Sequence, residues 1–162
     1  MARVYVSIGS NVEPERQVRS SIRALRKHFG SLSISPVYQS RAIGFVGDDF
    51  LNLVVVFDTA EDVRNVVSRL REIETAHGRR RDGSRFADRP LDLDLLLYGD
   101  LVLQETGLQI PRDEITRYAF VLRPLADLAG ERRHPVLQKT FAELWETLAE
   151  HSEPLLPVAL NL

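Results

Sequence analysis

The sequence predicts an α+β fold, an antiparallel sheet with helices packed on one face, and three observations predict it. Several short segments alternate apolar and polar residues, as Val4, Val6 and Ile8 do, which marks strands with one buried face. Two longer segments carry apolar residues at helical spacing, Val18-Ile22-Leu25-Phe29 and Val63-Val66-Val67-Leu70-Ile73. Their order with the strands, βαββαβ, joins hairpins to crossing helices, which gives antiparallel neighbours in one sheet.

In chain order, Arg3 to Ile8 is the first strand and stops at the turn Gly9-Ser10-Asn11. Asn11 or Glu13 can cap the helix that follows, Pro14 suits its first turn, and Gly30 ends it. Ser31 to Gln39 reads as a second strand broken near Pro36, followed by a loop from Ser40 to Asp49 with two glycines. Phe50 to Asp58 is almost continuously apolar and is expected at the centre of the sheet. The second helix starts within Thr59 to Asp62 and stops at Gly78.

The stretch Arg85 to Tyr98 reads as the next strand, and Gly99-Asp100 can fold it back onto Leu101 to Leu103 as a hairpin. Leu108 to Arg112 is extended, and Asp113 to Ala129 gives helical turns broken by Pro124. Thr140-Phe-Ala-Glu143 is a capping box that opens a last helix with Phe141, Leu144, Trp145 and Leu148. The tail from Pro154 is expected to be loosely attached. The whole is a ferredoxin-like sheet with a C-terminal helical elaboration, one domain over residues 1–162.

Composition agrees with one globular domain: 162 residues, 44% hydrophobic and 27% charged. A formal net charge of -2 makes any anion site a local one. With no cysteine, disulfides, thiolate metal sites and cysteine nucleophiles are excluded, so a catalytic metal would take oxygen or imidazole ligands. The N-terminus has no signal-peptide pattern, and no apolar run approaches the roughly 20 residues that span a bilayer. A cytoplasmic monomer is expected.

The stretch Arg85 to Tyr98 carries the chemistry. Asp92 and Asp94 alternate with Leu91, Leu93 and Leu95, so both carboxylates project to one side of a strand, where they would repel unless a cation lay between them. Arg79, Arg80, Arg81, Arg85 and Arg89 precede them in a segment broken by Gly78 and Gly83. An Asp-x-Asp on a strand is more often a solvated face, and an arginine run a solvated surface. Together, a basic loop feeding paired carboxylates is better explained by a metal-phosphate substrate.

Several segments together resemble the 6-hydroxymethyl-7,8-dihydropterin pyrophosphokinases, nearly end to end. They are Ser7-Ile-Gly-Ser-Asn11, Phe50-Leu-Asn52, His77-Gly-Arg-Arg-Arg81 with Arg85 to Asp94, and Phe120-Val-Leu-Arg-Pro-Leu125. The resemblance implies transfer of pyrophosphate from ATP to the pterin hydroxymethyl group, release of AMP, and two magnesium ions. It makes Asp92 and Asp94 the magnesium ligands and catalytic, along with Arg79, Arg81 and Arg89. It places Glu74, Arg79, Arg81, Arg85, Arg89, Arg112 and Tyr118 around ATP, and Ser40, Ile43, Phe50, Asn52, Phe86 and Phe120 around the pterin. The pterin side is chemically sensible, because a flat amide-like heterocycle wants aromatic faces and an Asn that both donates and accepts.

The chain departs from the family pattern in three places. Phe86-Ala-Asp88 stands where the family has Trp-Gly-Pro, Pro111-Arg-Asp113 lacks the family histidine, and Tyr118 replaces an arginine, with Arg117 one place earlier. Residues 78 to 88 are expected to act as a lid, closing when nucleotide and pterin are both bound. The partners implied are small molecules, not nucleic acid or membrane. Two other readings are a pterin- and nucleotide-binding paralogue without catalysis, and an RNA-binding module of the same fold. Asp92 and Asp94 on the strand that would face a nucleic-acid backbone speak against the second. Trp145 is assigned to packing, and His28, His77, His134 and His151 lack ligand spacing and read as surface residues.

Overall fold

The computed structural model describes residues 1–42, 46–78 and 90–162. In chain order the elements are β1 (Ala2–Ser10), α1 (Pro14–Phe29), β2 (Ser33–Ile34), β3 (Val37–Ser40), β4 (Phe50–Thr59), α2 (Val63–Ala76) and β5 (Asp92–Tyr98). Then come β6 (Leu103–Glu105), β7 (Leu108–Ile110), a 3-10 turn (Asp113–Thr116), α3 (Ala119–Ala129), α4 (Phe141–Ala149) and β8 (Leu156–Val158). The main sheet has the order β5-β1-β4-β3-β8, with β2 also on β4, and its pairings are antiparallel. The apolar β4 is central, as its composition predicts.

The two faces of the sheet are covered by different parts of the chain. On one, Val18, Ile22 and Leu25 of α1 and Val66, Leu70 and Ile73 of α2 pack against Val6, Ile8, Leu53 and Val55. On the other, Val121, Leu122 and Leu125 of α3 and Phe141 of α4 pack against Tyr5, Val54, Leu96 and Leu97. Each such side chain contributes about 1.5–3 kcal/mol when fully buried. A bulge in β5, where the register with β1 shifts between Tyr5 and Val6, lets Leu95 face the first layer while Leu96 and Leu97 join the second. The C-terminal elaboration is therefore the second cover of the sheet.

Pro36 separates β2 from β3, and Ser35 bridges the break: its N–H donates to Val54 O and its Oγ accepts from Val54 N, both at 2.9 Å. α2 is capped by Asp62, whose carboxylate accepts from Asn65 N at 2.8 Å. Glu13 holds the N-cap position of α1 but makes no side-chain cap bond: it is left-handed, at φ 45°, and Pro14 opens the helix.

Four further expectations are corrected. β5 does not fold back on the segment after Gly99; that hairpin is β6 with β7, a separate two-stranded sheet. α3 runs through Pro124, giving up only the bond that residue 124 would have donated, because its buried face holds it on the sheet. The tail is not loose: β8 pairs with β3, and Val158, Leu160 and Leu162 pack on the first core. His134 is buried at 7% exposure, its Nδ1 accepting from the backbone N–H groups of Val136 and Leu137, both at 3.1 Å.

Candidate active site

Strand pairing builds the site. Gly9 of β1 is the register partner of Asn52 on β4 and of Asp92 on β5, and Ser7 is the partner of Asp94. Cross-strand partners share a face, so Asn52, Gly9 and Asp92 form one row on the face that α3 covers. A Cβ built on Gly9 would lie 3.3 Å from Asn52 Oδ1 and 4.0 Å from Asp92 Cβ. The bare glycine is the floor between the two side chains.

At the β5 end of the row is an acidic group. β5 is the sheet's edge strand, and Leu93 N–H donates not to a neighbouring strand but to Glu74 Oε2, at 2.8 Å. Glu74 lies on the last turns of α2 and is 3% exposed, and one carboxylate oxygen from each of Glu74, Asp92 and Asp94 lies within 4.8 Å of the others. Hard oxygen donors in this number suit magnesium: with Mg–O near 2.1 Å, oxygens on opposite sides of one ion are about 4.2 Å apart.

On the far side of Asp94, Arg112 Nη2 lies 3.5 Å from Asp94 Oδ1, and Arg112 Nε lies 2.6 Å from Glu114 Oε2. The Arg112 backbone is fixed by its N–H, which donates to Leu96 O at 3.1 Å.

At the β4 end, Asn52 is buried and its Nδ2 donates to Ser40 Oγ at 2.7 Å, leaving its carbonyl oxygen directed over Gly9. Phe50 pairs with Ser40 and stands on the same face as Asn52. Above the sheet, Tyr118 and Phe120 stack at 5.1 Å between ring centroids and 17° between planes. α3 is tied down over β3: Tyr38 Oη donates to Asp127 Oδ2 at 2.5 Å and accepts from Arg123 Nε at 3.2 Å. Burial, then the Asp127 hydrogen bond, hold the Tyr38 hydroxyl above its ordinary value. Arg117 is held by Asp113 at 3.0 Å and lies against the Tyr118 ring.

The structure thus brings Asp92, Asp94, Glu74 and Arg112 together, with Ser40, Asn52 and Phe50 along the same face and Tyr118 and Phe120 at the start of α3. Glu74, expected by the nucleotide, joins the two aspartates. Ile43, Arg79, Arg81, Arg85, Phe86 and Arg89 lie outside the described residues, as does the expected lid beyond Gly78. Ser10, which ends β1, and Asn11, which follows it, take roles the sequence did not disclose. Asn11 Nδ2 donates to Asp48 O at 3.2 Å and Ser10 Oγ to Pro90 O at 2.5 Å, so this turn anchors the segments leading into Phe50 and Asp92. The signal available in the sequence was their place at a strand end, within the Ser7 to Asn11 segment that carries the resemblance.

A family model described as 7,8-dihydro-6-hydroxymethylpterin-pyrophosphokinase matches residues 5–130. The 2-amino-4-hydroxy-6-hydroxymethyldihydropteridine pyrophosphokinase of Pseudomonas aeruginosa is 38% identical over 137 residues, 82% of this chain and 84% of that protein. The protein of the same name from Aquifex aeolicus is 30% identical over 145 residues, 88% of this chain and 90% of that one. Among solved structures, the wild-type HPPK-DHPS of Plasmodium falciparum with pteroate is similar in fold, with a TM-score of 0.76 at 13% identity. That match covers 93% of this chain, which spans only 45% of the fused Plasmodium chain.

Proposed function

This chain belongs to the 7,8-dihydro-6-hydroxymethylpterin-pyrophosphokinase family, and from that premise we propose how its residues divide the work. The activity is ATP-dependent transfer of pyrophosphate to 6-hydroxymethyl-7,8-dihydropterin in folate biosynthesis. The observation that carries the residue assignment is the row Asn52, Gly9, Asp92, with three carboxylates clustered at its β5 end.

Asn52 and Ser40, hydrogen-bonded to each other, present an amide to the polar edge of a pterin, and Phe50 and Phe120 offer ring faces to its plane. Neighbouring strands lie about 4.8 Å apart, so Asn52 and Asp92 are separated by about 10 Å across Gly9. That span suits a bicyclic ring whose edge is held at β4 and whose hydroxymethyl arm reaches toward β5. Asp92 and Asp94, with Glu74 beside them, would hold the two magnesium ions that accompany ATP. Bound magnesium neutralises charge on the polyphosphate and orients it for in-line attack.

The chain supplies no nucleophile. It binds, aligns the pterin hydroxyl and excludes water, and Arg79, Arg81 and Arg89 meet the charge that develops on the transferred group, with Arg85, Arg112 and Tyr118 on the nucleotide. Ile43 and Phe86 complete the pterin pocket in this reading. A monomer in the cytoplasm belongs to the same proposal; among the described residues no helix is long and apolar enough to cross a membrane. Incubation with ATP, magnesium and the hydroxymethyl pterin should yield AMP and the pterin diphosphate. Failure to form AMP above background would reject the reading.

A further inference from the structure

Arg112 sits between two carboxylates of different kinds. Glu114 belongs to the 3-10 turn and lies 2.6 Å from Nε; Asp94 belongs to the acidic group and lies 3.5 Å from Nη2. The Arg112 backbone is pinned to β5 through Leu96 O, so the side chain can release one partner without moving the chain. Its Nε makes no hydrogen bond of good geometry despite being buried, whereas its Nη2 lies toward Asp94. The guanidinium is thus placed for charge rather than for a fixed hydrogen-bonded fork.

We propose that Arg112 is a resident counter-cation of Asp94 that a divalent metal must displace, and that it passes to a nucleotide phosphate when metal-nucleotide binds. The inference rests on the assignment of Asp94 as a metal ligand. Three clustered carboxylates attract a cation even without substrate, and a guanidinium beside one of them satisfies part of that attraction. A metal entering alone must break the Asp94–Arg112 pair and then bear repulsion from the arginine. A metal entering with polyphosphate finds a partner for the displaced guanidinium. Metal and nucleotide therefore favour each other, and by reciprocity each raises the affinity of the other by the same factor.

The test is Mn²⁺ binding to the intact chain, read from the electron paramagnetic resonance of free Mn²⁺, with no turnover required. Removing one charge this near a divalent site should tighten Mn²⁺ binding roughly tenfold in Arg112→Gln without nucleotide, while Arg112→Lys stays near wild type. With α,β-methylene-ATP present, the factor by which nucleotide raises Mn²⁺ affinity should shrink in Arg112→Gln by about the same amount. Arg112→Met gives a second charge-free variant if Gln prevents folding. Asp94→Asn separates the two failures. If it weakens Mn²⁺ binding but the charge-free variants bind as wild type or more weakly, the counter-cation role is overturned and the metal site stands. If it leaves Mn²⁺ binding unchanged, the metal assignment falls and takes the proposal with it.

Discussion

Asn52 and Asp92 are both register partners of Gly9, one on each side, so a buried amide and a carboxylate of the acidic group face one another across a residue with no side chain. A ligand lying on this row needs that space. In Gly9→Ala the new methyl would sit 3.3 Å from Asn52 Oδ1, and Asn52 is held from behind by Ser40. The KM for pterin should rise roughly tenfold, equivalent to ~1.4 kcal/mol, with a much smaller change in the KM for ATP. Steady-state kinetics with each substrate varied in turn would show it, and an unchanged pterin KM would remove Gly9 from the pocket floor.

Asp92→Asn and Asp94→Asn keep the shape of the side chain and remove one negative charge from a group whose oxygens lie within 4.8 Å. Turnover should fall by orders of magnitude, since interactions with the ion are strongest as charge develops. The melting temperature of the metal-free protein should hold or rise in Asp92→Asn, because one of the clustered like charges is removed, and change less favourably in Asp94→Asn, which also gives up the Arg112 pair. A variant that keeps near-wild-type turnover at saturating magnesium contradicts the assignment.

Glu74 has two duties that different substitutions should separate. Its carboxylate accepts from the edge-strand N–H of Leu93 at 2.8 Å and also belongs to the acidic group. Glu74→Gln retains an acceptor for Leu93, so the protein should fold with near-normal stability while Mn²⁺ affinity drops. Glu74→Ala strands a buried N–H and should cost about 1–3 kcal/mol as well. Chemical denaturation of the pair is the check; equal stabilities would mean that the Leu93 bond contributes nothing.

His134 gives the fold a pH dependence of known sign. Burial holds its imidazole below the ordinary value of 6.5, and its Nδ1 accepts two backbone N–H bonds, which a protonated ring cannot do. Between the native value and 6.5 the unfolded chain therefore binds more protons than the folded one. Stability rises with pH across that window and is lost as pH falls below about 6.5, by at most ~1.4 kcal/mol per pH unit for one group. His134→Asn, whose Oδ1 can accept in place of Nδ1, should flatten this part of the curve in melts from pH 5 to 8. An unaltered slope would exclude His134 as its source.

The elements with strong periodicity were legible in the sequence: β1, α1, β4, α2 and the alternating Asp92 and Asp94 follow from spacing alone. Their assembly was less so. Nothing local shows that Gly9 joins Asn52 to Asp92, since that depends on the registers of two long-range pairings. The resemblance puts Glu74 beside the nucleotide, but only the fold, in which it accepts from the edge-strand Leu93 N–H, sets it next to Asp92 and Asp94. Pro124 and the tail misled for one reason, that tertiary packing overrides local preference: α3 keeps its apolar face on the sheet in spite of a proline, and a tail with weak strand character finds an open edge. The hairpin after β5 was misplaced by two residues of turn chemistry, Gly99-Asp100, which make a turn without making a pair.

That open edge gives the last prediction. β8 covers β3, and β3 carries Tyr38, Gln39 and Ser40 directly beside β4, where Ser40 holds the Asn52 amide. Deleting residues 155–162 would expose the outer N–H and C=O groups of β3 to water and remove Val158, Leu160 and Leu162 from the first core. The lost apolar packing should cost roughly 2–4 kcal/mol. Freed backbone at an edge also moves more, so the effect should extend beyond stability. With β3 less constrained, Ser40 no longer fixes Asn52, and the pterin KM should rise more than the ATP KM, whose proposed contacts, Glu74, Arg112 and Tyr118 among them, lie on other elements. Stability and the two KM values can be measured on the truncated chain at a temperature where it remains folded. If both KM values are unchanged there, β8 is cover for the core alone and plays no part in positioning the pterin side.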